Sequence, residues 1–361
     1  MIISEIIVRQ LTLPLTKPYR VSFRTYTEFE PIIIEMRSED GAVGWGEAYV
    51  PPGSTAETID SAWRYCCEMS GRFVGKSVAA AEAVLEANVS SAPFASCAML
   101  TAAAVLKRHP ALDVSVSRRI PLLVPIGEKE KGAIAEEVER RLEEGYRTVK
   151  VKVGWDVEQD LARVGFVQDA VAGRAAITMD ANRGYDRDQG CRFASTLDPR
   201  DIELFEQPCE ADEWEANAAV ARVSTVPLML DESIRSEADI DRASAIAGVK
   251  LIKLKLKRVG GVDRALSAMR RAQQRGLDIC LGDGVATEIA CWVEACVSRD
   301  FVTRAGDMNG FLKPRVRLFA NPLPYDRGDI VLEPGYWPEI DRHTLGAHEV
   351  RSERYTTGAL V

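Results

Sequence analysis

Histidine is scarce in this chain. Its 361 residues hold only three, His109, His343 and His348. None falls in the strand-like runs described below, which argues against a histidine-ligated zinc centre or a Ser-His-Asp arrangement there. Long apolar runs are missing too. No stretch approaches 18 uninterrupted apolar residues, so no membrane span is expected. The opening segment MIISEIIVRQLTLPL carries Glu5 and Arg9 and lacks a basic region followed by an apolar core, so it reads as a strand and not as a signal peptide. Eight cysteines are present without a CxxC pair, and the adjacent Cys66 and Cys67 suit a helix interior. That usage points to a reducing, cytoplasmic setting and not to a disulfide framework. Positive charge is not in excess. A net charge of -8 disfavours nucleic acid or an anionic membrane as the main partner. An anionic small molecule stays open, because a bound cation reverses the local sign.

What is present falls into two rhythms. Residues from Ile2 to Leu13, Pro31 to Arg37 and Val43 to Glu47 read as three strands, with Glu39-Asp40-Gly41 as the turn between the last two. A polar, aromatic loop from Lys17 to Glu30 separates the first two. Ala56 to Val74, Val78 to Asn88 and Ala92 to Arg108 read as helices, so the first third is a small α+β unit. From Arg119 short β-branched runs alternate with amphipathic stretches, beginning near Ile120, Thr148, Ala175, Ile202, Val226, Val249, Leu277 and Phe301. Repeated βα units at this spacing close into a TIM-type (β/α)-barrel of about seven or eight strands. Asp156, Asp186 and Ser236 suit helix N-caps in this series. The proline-rich tail from Arg315 reads as mostly loop, folding back on the first unit.

Active sites of such barrels sit at the carboxyl ends of the strands. The second run, TVKVKVG, carries Lys150 and Lys152. The third ends in Asp180 with Asn182 beyond it, the fourth in Glu206, and the fifth in Asp231 followed by Glu232. The sixth contains Lys253, Lys255 and Lys257. Each acid follows the previous one by a single βα unit, which places the three at one height on adjacent strands. One acid at a strand end could merely cap the next helix. Three at matched height would repel if buried without compensation, and a hard cation such as Mg²⁺ resolves that repulsion. Lysines on the strands before and after the trio can act as base and acid on two faces of one carbon. The alternation of Lys with Leu and Ile from Lys250 to Arg258 marks a barrel strand and not a basic nucleic-acid patch, with Lys257 pointing outward. Trp292 reads as core.

These motifs together, Lys150-Val-Lys152, Asp180-Ala-Asn182, Glu206-Gln-Pro208, Asp231-Glu232-Ser233 and Lys255 five residues before Gly260-Gly261, resemble the enolase superfamily, and within it the muconate-lactonizing-enzyme subgroup. The resemblance spans nearly the whole chain. It implies an N-terminal α+β capping domain over residues 1–115, with specificity loops near 17–30 and 50–54. A catalytic barrel over 116–314 and a C-terminal segment over 315–361 would follow. Carried over by position, Asp180, Glu206 and Asp231 would hold one Mg²⁺, with Mn²⁺ as an alternative. Lys152 would be the base on one face, Lys255 the acid or base on the other, and Lys150 would support Lys152 or the substrate carboxylate. Asn182, Glu232 and Lys253 would stand behind these groups.

The implied function is proton abstraction next to a substrate carboxylate through an enediolate. It would make the protein a racemase or epimerase acting on an amino acid derivative or dipeptide. A muconate-type cycloisomerase or an acid dehydratase could use the same site, and a catalytically silent barrel serving as a binding protein is the reading from another class. A homo-oligomer, dimer or octamer, is implied by the resemblance alone. The chain departs from the family pattern at Lys253, where Asn or Gln is frequent, and that lysine could perturb Lys255 or pair with Glu232. Strand 7 ends in Leu281-Gly282-Asp283-Gly284. Asp307-Met308-Asn309 only partly matches the Asp-x-Asp with which dipeptide epimerases of the subgroup hold a substrate ammonium. Tyr19, Arg24 and Tyr26 of the first loop, with Asp283, Asp307 and Asn309, are the candidate substrate contacts. Asp283 could instead cap a helix.

Overall fold

The computed structural model describes residues 1–21, 24–51 and 55–357, with the side chains of residues 20–24 outside that description. Strands Ile3–Leu11, Ile32–Ser38 and Val43–Ala48 form an antiparallel sheet, and the carboxy-terminal strand Glu349–Thr356 adds to the outer side of Ile3–Leu11. Glu39-Asp40-Gly41 makes the turn. Gly41 adopts φ +86° and its N–H donates to the Ser38 carbonyl at 3.0 Å, a left-handed backbone that glycine takes without a Cβ penalty. Helices Ile59–Phe73, Val78–Asn88 and Pro93–Leu106 pack on the sheet. The third is apolar on every side because it is sandwiched. Gly44 and Gly46 let it approach the sheet so closely that a Cβ at Gly46 would overlap the Ala98 carbonyl. On its other side the Cys97 thiol donates to the Leu256 carbonyl of the barrel at 3.3 Å.

The segment expected as a loop between Lys17 and Glu30 is instead part of a hairpin, Leu13–Val21 against Arg24–Phe29. Among its described residues Leu13, Leu15, Tyr26 and Phe29 are buried. The hairpin is fastened to the far end of the barrel: Thr16 N–H donates to Lys313 O at 2.9 Å, and Arg315 N–H to Pro14 O at 2.8 Å. Two prolines and interleaved charges hide its apolar alternation.

Among the described residues seven parallel strands make the barrel: Val124–Ile126, Thr148–Lys152, Ala176–Asp180, Ile202–Glu206, Leu228–Leu230, Val249–Leu254 and Asp278–Leu281. The eighth run is not a strand. Gly306 and Asp307 close the gap with single bonds: Gly306 N–H to Pro121 O at 2.9 Å, Leu123 N–H to Gly306 O at 3.0 Å, and Asp307 N–H to Leu281 O at 3.1 Å. The run from Thr303 to Asp307 has too little β-branched character to extend the pairing. Ile120, expected to open the first barrel strand, lies in a separate short strand, Arg118–Pro121, paired with Asp329–Leu332. The tail is therefore less loop-like than expected, with that strand, helix Arg342–Ala347 and Glu349–Thr356. Asp156, Asp186 and Ser236 cap their helices, each side chain accepting a backbone N–H three residues on.

Side chains on a strand alternate with period two. Leu204, Met229, Leu251 and Cys280 form a small apolar cluster from four adjacent strands. Two residues further along three of these strands stand Glu206, Asp231 and Lys253. The barrel is thus plugged by an apolar layer, and the next layer up is charged.

Candidate active site

The charged layer is set by strand register. Lys152 pairs with Asp180, and Asp180 with Glu206, while Asp231 lies just beyond the strand Leu228–Leu230. All three acids are about 1% exposed. Carboxylates so deeply buried need partners, and here ammonium groups supply them. Lys150 Nζ lies 2.8 Å from Asp180 Oδ2, 2.8 Å from Glu206 Oε2 and 3.1 Å from Asp307 Oδ2. Lys152 Nζ donates to Asp180 Oδ2 at 2.6 Å and also to Asn182 Oδ1. Lys253 Nζ reaches Asp307 Oδ2 at 2.7 Å and Glu206 Oε1 at 3.1 Å. Lys255 Nζ is 2.8 Å from Asp231 Oδ2, and Arg258 Nη1 is 2.8 Å from Asp231 Oδ1.

These contacts correct two expectations. Lys253 pairs with Glu206 and Asp307, not with Glu232, whose Oε1 instead receives Asn182 Nδ2 at 3.4 Å. Lys257 does not point outward. The strand stops at Leu254, Lys255 precedes a short helix, Leu256–Val259, and that turn swings Lys257 inward to Asp283 Oδ2 at 2.7 Å. Asp283 caps no helix; its Oδ1 accepts Val285 N–H at 2.9 Å, and Thr287 caps the helix Glu288–Ser298. Trp292 is core, edge-on to Trp337.

One cavity collects these groups. Lys150, Lys152, Asp180, Asp231, Lys253 and Lys255 line it, joined by Asn182, Glu232, Asp283 and Asp307. The hairpin contributes Tyr19 and Tyr26. The Arg24 side chain and residues 52–54 of the second expected loop lie outside the described residues. Asn309 sits behind the cavity, donating to Leu123 O at 2.9 Å and Asp307 Oδ1 at 3.1 Å. Sequence reasoning missed Arg258, Lys257 and Phe94 in the wall. It also missed Lys313, which donates to Gly284 O at 2.6 Å and to Asn309 Oδ1, and lies 4.5 Å over the Tyr19 ring. The strand-like alternation up to Arg258 concealed the helical turn, and nothing local marks Lys313.

Titration follows from this wiring. Burial disfavours charge on Asp231, but Lys255 and Arg258 outweigh it and hold the carboxyl well below its ordinary range. Burial likewise opposes charge on Lys150 and Lys253, yet their acids keep both firmly protonated. Glu206 is pushed up by burial and by the neighbouring charges of Asp180 and Asp231. Glu232 is pushed up to about 7 by burial and by Asp231.

After burial, the charges of Asp180 and Asp231 add to the upward push on Glu206, as acids grouped at one barrel mouth would. Buried oxygens of this kind, beside a cavity, are the donor set of a hard divalent cation. Among the described residues no three acid, histidine or cysteine side chains already converge as a metal cage, because ammonium groups stand between the acids. The residue types fit Mg²⁺, and its entry would require the lysines to yield those oxygens.

A parallel barrel closed by a bridge, covered by an α+β cap and charged at the carboxyl ends of its strands, is an enzyme architecture in which cap and barrel build one site. The chain belongs to the enolase superfamily: the family model described as Enolase C-terminal domain-like matches residues 133–343. It is an isomerase or lyase of that superfamily, and its relatives are racemases, epimerases and a synthase. The L-Lys-D/L-Arg epimerase of Methylococcus capsulatus is 30% identical over 95% of this chain and 98% of its own length. A dipeptide epimerase from the same organism, solved with Mg and the dipeptide L-Arg-D-Lys, has a TM-score of 0.81 at 26% identity and covers 94% of this chain and 98% of that one. The N-succinyl-L-Arg/Lys racemase of Bacillus cereus is 25% identical over 95% of this chain and 96% of its own. Its crystal structure shares the fold at a TM-score of 0.90. The o-succinylbenzoate synthase of Geobacillus kaustophilus is 27% identical over 94% of this chain and 89% of its own. The fold class and enzyme class expected from sequence are those found. Among the described residues no helix is long and apolar enough to cross a membrane.

Proposed function

We propose that the protein is a Mg²⁺-dependent racemase or epimerase that moves the proton on the carbon next to a substrate carboxylate, acting on an amino acid derivative or dipeptide. The observation that carries this reading is the placement of Lys152 and Lys255. They close the second and sixth strands of a seven-strand order, on opposite sides of the acid trio, and both face one cavity. Asp180, Glu206 and Asp231 would hold the cation. When bound, Mg²⁺ supplies positive charge that lowers the cost of negative charge on the substrate carboxylate; Mn²⁺ could serve in its place. Lys152, as free amine, takes the α-proton from one face and leaves the substrate as its enediolate. Lys255, as ammonium, returns a proton to the other face, and the roles exchange in reverse. Lys150, tied to Asp180 and Glu206, fixes their orientation. The cap hairpin with Tyr19 and Tyr26 limits water at the reacting carbon.

The same enediolate could instead expel a leaving group, which makes a cycloisomerase or dehydratase the second reading, and the likeness to an o-succinylbenzoate synthase favours it. Turnover in D₂O separates the two. A racemase places deuterium on the α-carbon of both stereoisomers, and a dehydratase or cycloisomerase yields a product of changed skeleton or mass. Lys152→Ala and Lys255→Ala should each slow turnover by about 10²–10⁴-fold. Lys255→Ala should spare exchange from the Lys152 face. Equal exchange from both stereoisomers in Lys255→Ala would overturn the two-base assignment.

A further inference from the structure

Lys313 aside, the cavity is electrically balanced before any ion enters. Six cationic side chains, Lys150, Lys152, Lys253, Lys255, Lys257 and Arg258, line it. Six carboxylates, Asp180, Glu206, Asp231, Glu232, Asp283 and Asp307, line it or pair with those cations. A divalent cation therefore leaves the site about two charges positive, and a ligand with negative charge to spare offsets it.

Each acid that a substrate ammonium might seek is already engaged. Asp307 receives Lys253 at 2.7 Å and Lys150 at 3.1 Å on Oδ2, and Asn309 at 3.1 Å on Oδ1. Asp283 receives Lys257 and the Val285 N–H. Glu232 keeps one oxygen without a partner, but that atom is closed to solvent and lies beside Asn182 and Arg183. Lys313 is the converse case. Its ammonium is partly buried against Gly284 and Tyr19 in the cavity wall and is held by a backbone carbonyl, an amide oxygen and a ring face. No carboxylate among the described residues forms an ion pair with it. Burial lowers its pKa to about 8, the behaviour of a cation short of a counter-ion.

We propose that Lys253 sets the substrate class. By occupying Asp307 it denies the cavity an acceptor for a free ammonium near the reacting carbon, and the site instead takes an amino acid whose nitrogen carries an acyl arm ending in a second carboxylate, with Lys313 as the cation that receives the arm. This rests on the racemase reading for the reaction, while the choice of ligand rests on charge and contacts alone.

The test uses matched pairs: N-succinyl and N-(L-alanyl) derivatives of the same set of amino acids, with Mg²⁺ present. Binding is measured by calorimetry on Lys152→Ala, which should hold ligand without turning it over, and α-deuterium incorporation is followed on the unaltered enzyme. The succinyl member of a pair should bind about ten- to a hundredfold more tightly, the range for a charge-assisted contact. Lys253→Asn should narrow that gap, because a neutral amide can hold Asp307 in place without cancelling its charge. Lys313→Met should weaken succinyl derivatives by about tenfold or more and leave the N-acetyl analogues, which lack the second carboxylate, unchanged. Dipeptides that bind as well as their succinyl partners, a gap unmoved by Lys253→Asn, or no binding by either series would overturn the proposal. Tight succinyl binding without α-exchange in any derivative would leave it standing and remove the racemase reading.

Discussion

Asp231→Asn tests whether ion pairing with the lysine layer, and not packing, holds the site together in the absence of metal. The Asp231 carboxylate is 1% exposed and meets Lys255 and Arg258 at 2.8 Å each, one on either oxygen. At an effective dielectric constant of about 20, each contact represents roughly 6 kcal/mol of gross attraction. Desolvating the groups cancels most of that, so the pair adds little net stability. Removing one member is a different matter, because the cations stay behind without a counter-ion, and such losses run to about 3–5 kcal/mol. Lys255 and Arg258 side chains are 16% and 11% exposed and border the cavity. Water therefore relieves them in part, and we expect the low end, about 3 kcal/mol. Against a total of about 5–15 kcal/mol for a folded domain, the variant stays folded with a lower urea midpoint. The check is urea unfolding in chelator, followed by circular dichroism, for Asp231→Asn, Lys255→Met and the double variant. The double variant should recover about 1–3 kcal/mol relative to the sum of the single changes, because the stranded ammonium has gone as well. Costs that simply add, to within about 0.5 kcal/mol, would refute the reasoning.

Two further outcomes can be measured on the same footing. Glu47, on the cap sheet, accepts Thr287 N–H at 2.8 Å, Thr287 Oγ1–H at 2.7 Å and Ala290 N–H at 3.2 Å, so it ties the cap to the first turn of helix Glu288–Ser298. Glu47→Ala leaves those buried donors unpaired and should cost about 2–4 kcal/mol, seen as a lower unfolding midpoint, whereas an unshifted midpoint would mean the junction is held elsewhere. Asp283 is pushed up by burial but pulled down further by Lys257 and Lys255, to about 2. A depressed carboxylate contributes stability above its unfolded value near 4 and loses it as pH falls through the folded value, so the stability gap between the protein and Asp283→Asn should shrink from about pH 4 to pH 2. A gap that stays constant over that window would show that Asp283 is not held ionised by Lys257.

The site could be read from sequence because its rule is local. On barrel strands an inward apolar residue is followed two positions later by an inward charge, as in Leu204 and Glu206, Met229 and Asp231, or Leu251 and Lys253. Period two therefore marks both the plug and the layer above it. Helix caps at Asp156, Asp186 and Ser236 are equally local. The hairpin Leu13–Val21 with Arg24–Phe29 was hidden because Pro14 and Pro18 remove donors and its pairing is completed by Lys313 and Arg315, about 300 residues away. Lys257 and Arg258 were misread for a related reason. Where a strand ends and a helical turn begins depends on what the turn packs against, here the helix Pro93–Leu106, buried from Phe94 onward.

Partner choice among the charges is the least local feature of all. Lys253 looks anomalous in sequence because a second inward lysine beside Lys255 invites repulsion. In the fold it stands between Glu206 and Asp307, 47 and 54 residues away, and Asp307 also meets Lys150 at a separation of 157. That meeting depends on how the barrel closes. A full eighth strand would have stacked further residues along the seam. The bridge at Gly306 ends after one step and turns Asp307 toward strands two and six together. The short closure and the extra lysine are therefore two halves of one feature: the bridge delivers an acid that would be costly to bury alone, and Lys253 makes its burial tolerable. Replacing Lys253 without compensating Asp307 should accordingly disturb the barrel seam as well as the ligand site, which makes the conservative Asn, able to donate to Asp307, the informative substitution.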